Sequence, residues 1–355
     1  MATIQDVAAL AKVSVSSVSN VLNGRTERLS ATTFERVEAA IRQLDFRPNQ
    51  VARQLKTGHI PMLGVLVPST ANPMYGHLAL KIEVAAKEQY GYRVLLANTY
   101  RDKEQETRML DDLMSFGVRA VILVSSLTDE RHLDAAIARG MAVISYDRRA
   151  GSDAHSFIDH VSPDNFKSAY LAANHLIACG HKRLAFVTPA SRTISRTNKI
   201  AGFLAAAQEA GLADSARIID GPASAEYGDS QLADLGFAMA TDLARHAQRP
   251  TGVIAVNDMM AIGLTAGLRH AGLSVPEQIS VIGMDDLILS SYSNPPLTSV
   301  AVPIEEMAHT MVQRVMLRLN QPALPPEEFL FEPTLMMRDS VAAPPAQILS
   351  GRPAE

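Results

Sequence analysis

Small side chains cluster at the start of the second helix that the sequence predicts. Ser14 can cap this helix, and Asn23 and Gly24 end it. A helix that follows another after a short turn can hold such side chains against base edges in the major groove of DNA. The candidate DNA contacts here are Thr3, Ser14, Val15, Ser16, Ser17, Ser19, Asn20 and Asn23. Helix spacing alone also fits a surface helix in a generic helical cap, so this alternative stays open.

A second set of polar side chains follows apolar runs further along the chain. In open α/β sheets ligands bind beyond the carboxyl ends of the strands, and polar groups that converge on a cleft suit a hydroxyl-rich small molecule. The candidate ligand-binding residues at such ends are Ser69, Asn72, Tyr75, Ser125, Asp147, Asn257 and Asp285. Taken singly, Ser69, Asn72 and Asn257 can also be read as helix caps.

The chain carries no recognised catalytic motif. It lacks G-x-x-x-x-G-K-[ST], G-x-G-x-x-G after a strand, G-x-S-x-G and H-E-x-x-H. The ten histidines show no metal spacing, and we predict His155 and His160 at the surface. Asp285 and Asp286 are adjacent, but neighbours on a strand would face opposite sides. We therefore expect no enzyme activity, no cofactor and no metal site.

Three short helices are predicted to position the first set of residues. Thr3 can cap the first helix, with Asp6 returning the interaction, and Ser30 opens the third. In the second helix, Val18 and Val21 recur at helical spacing and are expected to face the core of this small head. The polar side chains of that helix then remain available for contacts.

From Met62 onward the pattern changes to strands that alternate with helices. The predicted strands lie at 62–68, 93–98, 120–124, 142–146, 183–188, 218–219, 252–256 and 279–283. Helical patterns such as 75–90, 165–178 and 258–271 separate them. Near-continuous apolar strands that alternate with helices predict parallel sheets covered on both faces, and the number of units indicates two lobes.

The opening run TIQDVAALAKVSVSSVSNVLNGR closely resembles that of the lactose-repressor/galactose-repressor family of bacterial transcription regulators. The resemblance continues through RVEAAIRQLDFRPNQVARQLKTG, and the landmarks of the family recur up to residue 340. It implies a small all-α helix-turn-helix head joined to a two-lobed α/β domain like that of periplasmic binding proteins, with parallel sheets flanked by helices. Two departures affect which bases are read: Lys12 replaces the usual turn glycine, and Asn20 lies where the lactose repressor has an arginine.

The resemblance implies a division of the chain into four parts. These are a head at 1–47, a hinge helix and linker at 48–60, a ligand-binding and dimerisation domain at 61–340, and a tail at 341–355. Within the domain, lobe one is expected at 61–161 with 293–320, and lobe two at 162–292 with 321–340. The composition of the tail predicts disorder.

The segment Pro48–Gly58 resembles the hinge helix of the family. That helix folds on the operator and inserts a leucine of each subunit into a central minor-groove step, which costs unstacking energy that the extra contacts offset. Leu55 matches this leucine, and its matching neighbours are Asn49, Val51, Ala52 and Arg53. The alternative is a leucine in a plain linker.

The resemblance also implies a small-molecule effector, usually a sugar, bound between the lobes. Lys199 lies where family members generally have an arginine, with Arg192 and Arg196 nearby, so Arg196 and Lys199 join the candidate effector-binding residues. Cations complement carboxylate or phosphate, and no clear aromatic stacking residue is present, which favours an anionic ligand such as a sugar acid. A neutral sugar remains open.

The charge distribution fits a nucleic-acid-binding head. The first 60 residues carry a net charge of +3, so the rest carries −7 of the total of −4. Cys179 is the single cysteine, and the sequence shows neither a secretory signal nor an apolar run long enough for a membrane span. We expect a soluble, cytoplasmic protein with no membrane partner.

The sequence therefore predicts a sequence-specific transcription regulator, acting as a repressor, whose operator affinity a small-molecule effector changes. Its expected partners are a pseudo-palindromic double-stranded operator, a sugar or sugar acid, and a second copy of itself. A dimer is expected because the tail lacks the leucine heptads of the family's tetramers. The alternative is a periplasmic-type solute-binding protein or another non-regulatory use of the same fold, which would not carry the head. A purely architectural DNA-binding protein would have no use for the polar cleft.

Overall fold

The chain forms two compact units, Met1–Ile60 and Pro61–Glu355. A computed structural model describes residues 2–22, 29–46, 60–124, 127, 130–147, 157–222, 231–246 and 248–345. In the described part of the chain, no helix is both long and apolar enough to cross a bilayer.

Three helices make up the described part of the first unit: α1 (Ile4–Ala11), α2 (Val15–Leu22) and α3 (Ala31–Gln43). The Thr3 hydroxyl accepts from the Asp6 N–H, and the Asp6 carboxylate accepts from the Thr3 N–H at 2.8 Å, which confirms the predicted capping box. Ser30 caps α3 by accepting from the Thr33 N–H. The small core consists of Val7, Ala8, Ala11, Val18, Val21, Val37 and Ala40.

Two six-stranded sheets form the second unit. The first sheet has the order β11-β5-β4-β3-β1-β2. Its strands are β1 (Met62–Val67), β2 (Arg93–Asn98), β3 (Ala120–Val124), β4 (Ala142–Tyr146), β5 (Asp159–Pro163) and β11 (Glu328–Phe331). The second sheet has the order β12-β10-β9-β8-β6-β7. Its strands are β6 (Leu184–Thr188), β7 (Ala216–Asp220), β8 (Gly252–Ala255), β9 (Ser280–Met284), β10 (Thr298–Ala301) and β12 (Thr334–Met336).

Within the described residues, every strand pair is parallel except β10 with β12, which is antiparallel. Helices connect and cover the sheets: α4 (Pro73–Tyr90), α5 (Lys103–Ser115), α6 (Asp134–Ala138), α7 (Asn165–Ala178), α8 (Ile194–Glu209), α9 (Leu232–Arg245), α10 (Asp258–His270), α11 (Ile288–Tyr292) and α12 (Ile304–Asn320). Single 3₁₀ turns lie at Arg131–Leu133 and Ala213–Ser215. Each sheet with its helices makes one lobe, as the apolar runs predicted.

The central strands are apolar and buried because helices cover both sheet faces. Every residue of β3, β4 and β8 is buried. In the second lobe α9 and α10 approach closely at Gly263, where an added Cβ would lie 1.9 Å from the Ala233 carbonyl oxygen. Only glycine permits this contact between helices.

The expected lobe boundaries are wrong at two points. β10 pairs with β9 in the second sheet, so the chain enters lobe one only after Ala301 and not at 293. β11 pairs with β5 in the first sheet, so the chain leaves lobe one after Phe331 and not at 320. Both strands are short, so neither gives a clear periodic signal in the sequence.

The expected disordered tail is also wrong for residues 341–345. The Ala342 N–H donates to the Ser280 hydroxyl at 3.0 Å, and its carbonyl accepts from the His181 Nε2 at 2.9 Å. These bonds attach the segment to lobe two. Residues 346–355 lie outside the described part of the chain.

Candidate functional site

The first turn of α2 is the exposed part of the predicted DNA-binding helix. Val15 is 43% exposed and Ser16 is also exposed, whereas Val18 is fully buried. Ser14 Oγ accepts from the Ser17 N–H at 3.1 Å and lies 2.7 Å from Ser16 Oγ. The small side chains at this end are therefore held in place by the cap while remaining accessible.

The remaining candidates on the head differ in accessibility. Ser17, Ser19 and Asn20 are half-buried on α2. Thr3 is exposed, but its side chain is engaged in the capping box with Asp6.

The turn between α1 and α2 accommodates a lysine where a glycine was expected. Lys12 adopts the left-handed conformation, with φ of 51° and ψ of 50°. The Arg36 guanidinium caps the end of α1, because it donates to the carbonyls of Ala11 and Lys12. The helix-turn-helix geometry is thus kept without glycine.

Several predicted contacts cannot be placed. Asn23, Asn49, Val51, Ala52, Arg53, Leu55 and Ser125 lie outside the described residues.

In the body, polar side chains from both lobes meet where the carboxyl edges of the two sheets face each other. Asp147 directly follows β4 of lobe one. Its carboxylate accepts from the Asn165 amide at 2.9 Å, and Asn165 begins the first helix of lobe two. Leu287 of lobe two packs into the core of lobe one. Residues after β4, at the start of α7 and after β9 thus meet between the lobes, and we refer to this place as the cleft.

Asp285 contributes a carboxylate from the lobe-two side of the cleft. It directly follows β9 and has a φ of 105°, a conformation that L-residues rarely adopt. Burial raises its pKa to about 8, the Lys199 ammonium opposes the rise, and the charges of Asp258 and Asp147 add to it. The structure therefore brings Asp147, Lys199 and Asp285 together.

Two tyrosines lie on the lobe-one side of these carboxylates. Burial raises the pKa of Tyr146 well above its usual value, and the charges of Asp147 and Asp285 raise it further, so Tyr146 stays a neutral phenol. Tyr75 is 4% exposed, and its hydroxyl accepts from the Arg101 guanidinium at 3.3 Å. Two buried aromatic side chains thus lie beside Asp147 and Asp285.

The predicted cluster of cations is divided between different partners. Lys199 donates to the Val256 carbonyl at 3.2 Å and lies beside Asp285. Arg196 is 7% exposed and donates to the Ser191 hydroxyl at 2.7 Å. Arg192 pairs at 2.6 Å with a carboxylate on the surface, that of Asp220. The cleft therefore carries fewer cations than the sequence suggested.

The side chains of three candidates accept hydrogen bonds from backbone N–H groups two or three residues further along the chain. Asn72 accepts from the Met74 N–H at 3.1 Å, and Asn257 accepts from the Met260 N–H at 3.0 Å. The Ser69 hydroxyl accepts from the Ala71 N–H. The helix-cap alternative is thus confirmed for Asn72 and Asn257, whereas Ser69 bonds within the turn before α4 and caps no helix.

Sequence reasoning missed Asn165, Arg101 and Asp258. Asn165 follows β5, and recognition of that strand would have placed it at a carboxyl end. Arg101 follows β2, and this strand was predicted. The rule that selects polar residues after the carboxyl end of a strand could therefore have identified Arg101. Asp258 resembles an ordinary acidic residue in the first turn of a helix, and no sequence signal distinguishes it.

Two predictions about titratable residues are wrong. His160 is buried and not at the surface, with its Nε2 3.2 Å from the Glu130 carboxylate, a partner that sequence distance conceals. Asp285 and Asp286 follow the strand and both have positive φ, so the alternation of a strand does not apply to them. His155 lies outside the described residues. Among those described, no group of three or more His, Cys, Asp or Glu residues could hold a metal ion.

Comparison with known proteins matches both units. Residues 3–49 match bacterial regulatory proteins, lacI family, and residues 173–341 match a periplasmic binding protein-like domain. The ribose operon repressor of Escherichia coli (strain K12) is 34% identical over 341 residues, which cover 96% of this chain and 100% of the repressor.

Two solved structures are also similar. The lac repressor dimer bound to operator and the anti-inducer ONPF has a TM-score of 0.81 and 26% identity, over 96% of this chain and 99% of that one. A LacI family transcriptional regulator from Enterococcus faecium with bound ribose has a TM-score of 0.69 and 28% identity, over 79% of this chain and 99% of that one.

A helix-turn-helix head followed by a two-lobed domain with a polar cleft defines a DNA-binding transcription regulator that responds to an effector. The chain belongs to the lacI family of bacterial regulatory proteins, since a relative that is 34% identical spans 96% of it. The matched relatives are regulators and not enzymes.

Proposed function

We propose that this protein is a cytoplasmic repressor without enzyme activity, whose affinity for a pseudo-palindromic operator changes when a sugar binds between its lobes. The observation that carries the proposal is the convergence of Asp147 and Asp285 from different lobes beside Lys199. Carboxyl groups form hydrogen bonds with hydroxyl groups in both their ionised and protonated forms, so a polyol that joins the two lobes would change their closure.

A neutral sugar fits this charge pattern best. Asp147 and Asp285 supply acceptors, and Lys199 is close enough to lower the pKa of Asp285. The relative from Enterococcus faecium with bound ribose supports a pentose as the first ligand to test.

A sugar acid is the second candidate, because Arg196 and Lys199 lie on the same face of α8, three residues apart. Lys199→Ala distinguishes the two ligands: the loss of affinity should be greater for an aldonic acid than for the corresponding aldose.

On DNA, each head is proposed to read one half-site with Val15 and Ser16, and Leu55 is proposed to enter the central minor-groove step. Replacing Ser16 should change base preference, whereas replacing Arg53 should weaken all sites about equally. Leu55→Ala should remove the bend and weaken operator binding by a few kcal/mol, on the order of a lost wedge. An unaltered bend angle would refute the role of Leu55.

A homodimer is proposed to bring two heads to the operator. Leu80 and Val84, one turn apart on α4, and Leu96 on β2 are exposed apolar side chains of lobe one, with 55%, 41% and 39% exposure. Exposed apolar side chains of this kind suit an interface between two copies. Sedimentation should show a dimer for the wild type and a monomer for Leu80→Glu, and a stable tetramer in dilute solution would contradict the proposal.

A ligand screen tests the function directly. Aldoses and aldonic acids are added to the purified full chain, and a ligand that binds only the folded state raises the melting temperature. Operator affinity is then measured with and without each compound that binds. A sugar that stabilises the protein without changing operator affinity would contradict the proposed switch.

A further inference from the structure

Asp258, the first residue of α10, is a fully buried carboxylate near the cleft. It accepts three hydrogen bonds: from the Leu287 N–H at 2.8 Å, the Ser290 hydroxyl at 2.6 Å and the Ser299 hydroxyl at 2.5 Å. The Ser299 hydroxyl also accepts from the Asp286 N–H at 3.0 Å. These partners belong to the turn after β9, to the short helix α11 that follows it, and to β10.

These hydrogen bonds enclose the turn that carries Asp285. The donors are Leu287 at the end of this turn, Ser290 in α11 and Ser299 on the neighbouring strand β10. Asp285 and Asp286 have φ of 105° and 48°, and such conformations persist only where the surroundings hold them. The carboxylate of Asp258 is the common acceptor of this turn.

The surrounding packing is shaped to admit this carboxylate. At Gly283 an added Cβ would lie 2.1 Å from Asp258 Oδ1, so the strand leaves room for it. All three donors to Asp258 are neutral groups. Burial therefore raises its pKa to about 6, and hydrogen bonds from Ser290 and Ser299 limit the rise.

We propose that Asp258 is a positioning residue of the effector cleft: through Leu287, Ser290 and Ser299 it holds the turn that places Asp285 beside Lys199 and Asp147. The role in effector binding rests on the proposed function, whereas the effect on the turn does not. Asp258 does not itself contact the effector.

The charge of Asp258 provides a signature that a purely structural role would not produce. The ionisable groups acting on Asp285 are Lys199, which lowers its pKa, and Asp258 and Asp147, which raise it. Asp286 acts on Asp258. Removal of the Asp258 charge should therefore move the titration of Asp285 to lower pH.

The first test needs no ligand. The Asp285 carboxyl carbon is titrated by ¹³C NMR in the full chain, with Asp285→Asn identifying its signal, and hydrogen exchange of the Leu287 N–H is followed in parallel. In Asp258→Asn the midpoint should fall and the N–H should exchange faster. Ser299→Ala, which keeps the charge, should speed exchange of the Asp286 and Leu287 N–H groups and provides a second variant if Asp258→Asn does not fold.

Ser280→Ala is the matched control. Ser280 is a fully buried hydroxyl at the opposite end of the same strand β9, where it bonds Ala342. The Ser280→Ala variant should be less stable than the wild type, but the titration of Asp285 and the hydrogen exchange of the Leu287 N–H should not change. An unchanged Asp285 midpoint in Asp258→Asn, or an equal change in Ser280→Ala, overturns the proposal.

The second test uses D-ribose, and then the aldoses and aldonic acids of the screen, in calorimetric titrations. Asp258→Asn should weaken binding about tenfold or more, the scale of one lost hydrogen bond to a charged group, and Ser280→Ala should not. If no sugar binds the wild type, the proposed function fails while the ligand-free test still decides the role of Asp258. Wild-type affinity in Asp258→Asn would contradict that role.

Discussion

Asp159 in lobe one and Asp258 in lobe two are both fully buried carboxylates, yet they have opposite kinds of partner. Asp159 accepts from Arg314 at 2.8 Å and from Arg318 at 2.5 Å. Burial alone would raise its pKa, but these hydrogen bonds outweigh burial and the pKa is lowered. Asp258 has only neutral donors, and its pKa is raised to about 6.

The difference follows the position of each residue on its sheet. Asp159 begins β5, at the end of the strand away from the cleft, where it joins α12 to the strand. Asp258 follows the carboxyl end of β8, at the cleft. A carboxylate paired with arginines stabilises the fold, whereas one left with neutral donors keeps a charge that acts on its neighbour Asp285.

The largest expected effect on the free energy of unfolding comes from removal of the Asp159 carboxylate in lobe one. Asp159→Asn leaves two buried guanidinium groups without full compensation, which should cost about 3–5 kcal/mol in the free energy of unfolding. Asp258→Asn removes hydrogen-bonding capacity without leaving a buried cation and should cost about 1–3 kcal/mol. Urea denaturation measures both, and equal costs would remove the contrast.

Gly283→Ala should perturb the lobe-two carboxylate without changing its charge. The new Cβ would lie 2.1 Å from Asp258 Oδ1, so the turn must shift, at a cost of about 1–3 kcal/mol. Gly76→Ala on α4 of lobe one is the control, since nothing lies within 4 Å of its Cβ position. The control should be stabilising by about 0.5–1 kcal/mol in urea denaturation, because alanine favours helix. A neutral Gly283→Ala would contradict the close contact.

The two carboxylates should also give stability opposite dependences on pH. The lowered pKa of Asp159 means that its contribution is present above its ordinary value of 3.8 and is lost as pH falls through the folded value. The raised pKa of Asp258 means that its contribution is present below 3.8 and is lost as pH rises through about 6.

Denaturation of the wild type and both variants from acid pH well below 3.8 up to pH 7 measures the difference. As pH rises, the cost of Asp159→Asn should increase, whereas that of Asp258→Asn should decrease by on the order of 2 kcal/mol. If the costs of the two substitutions changed with pH in the same direction, the hydrogen-bond partners of the carboxylates would not determine the sign of the pH dependence.

An exposed carboxylate provides the smallest effect. Glu305 on α12 pairs with Lys81 on α4 at 2.7 Å, a distance similar to that between Asp159 and Arg314. Its side chain is 65% exposed, so Lys81→Ala should lower the free energy of unfolding far less than Asp159→Asn does, and less still at high salt. A cost close to that of Asp159→Asn would mean that burial is not what distinguishes these pairs.

Sequence reasoning found strands that contain a run of apolar residues, both central buried strands such as β3 and β4 and the part-exposed edge strand β2. β2, β3 and β4 match their predicted bounds because a run of apolar residues in each of them predicts a strand. β5 and β10 were missed because polar residues such as Asp159 and Ser299 are buried there, which only partners distant in sequence permit.

The same reason limits prediction of the site. Asp147 and Asp285 were predicted because each follows an apolar strand. Asn165 was missed together with β5, and the role of Asp258 depends on Ser290 and Ser299, more than 30 positions away. Position after a strand is a local signal, whereas convergence of hydrogen bonds on one buried carboxylate is a property of the folded chain.

The most direct test of the proposed switch measures operator affinity of the full chain against the concentration of the sugar that gives the largest thermal shift, for the wild type and for Asp285→Asn. Without sugar, both proteins should bind the operator equally, because the head is unchanged. With sugar, the affinity of the wild type should change and that of Asp285→Asn should not. A variant that still responds at the wild-type sugar concentration would show that the effector does not bind at Asp285.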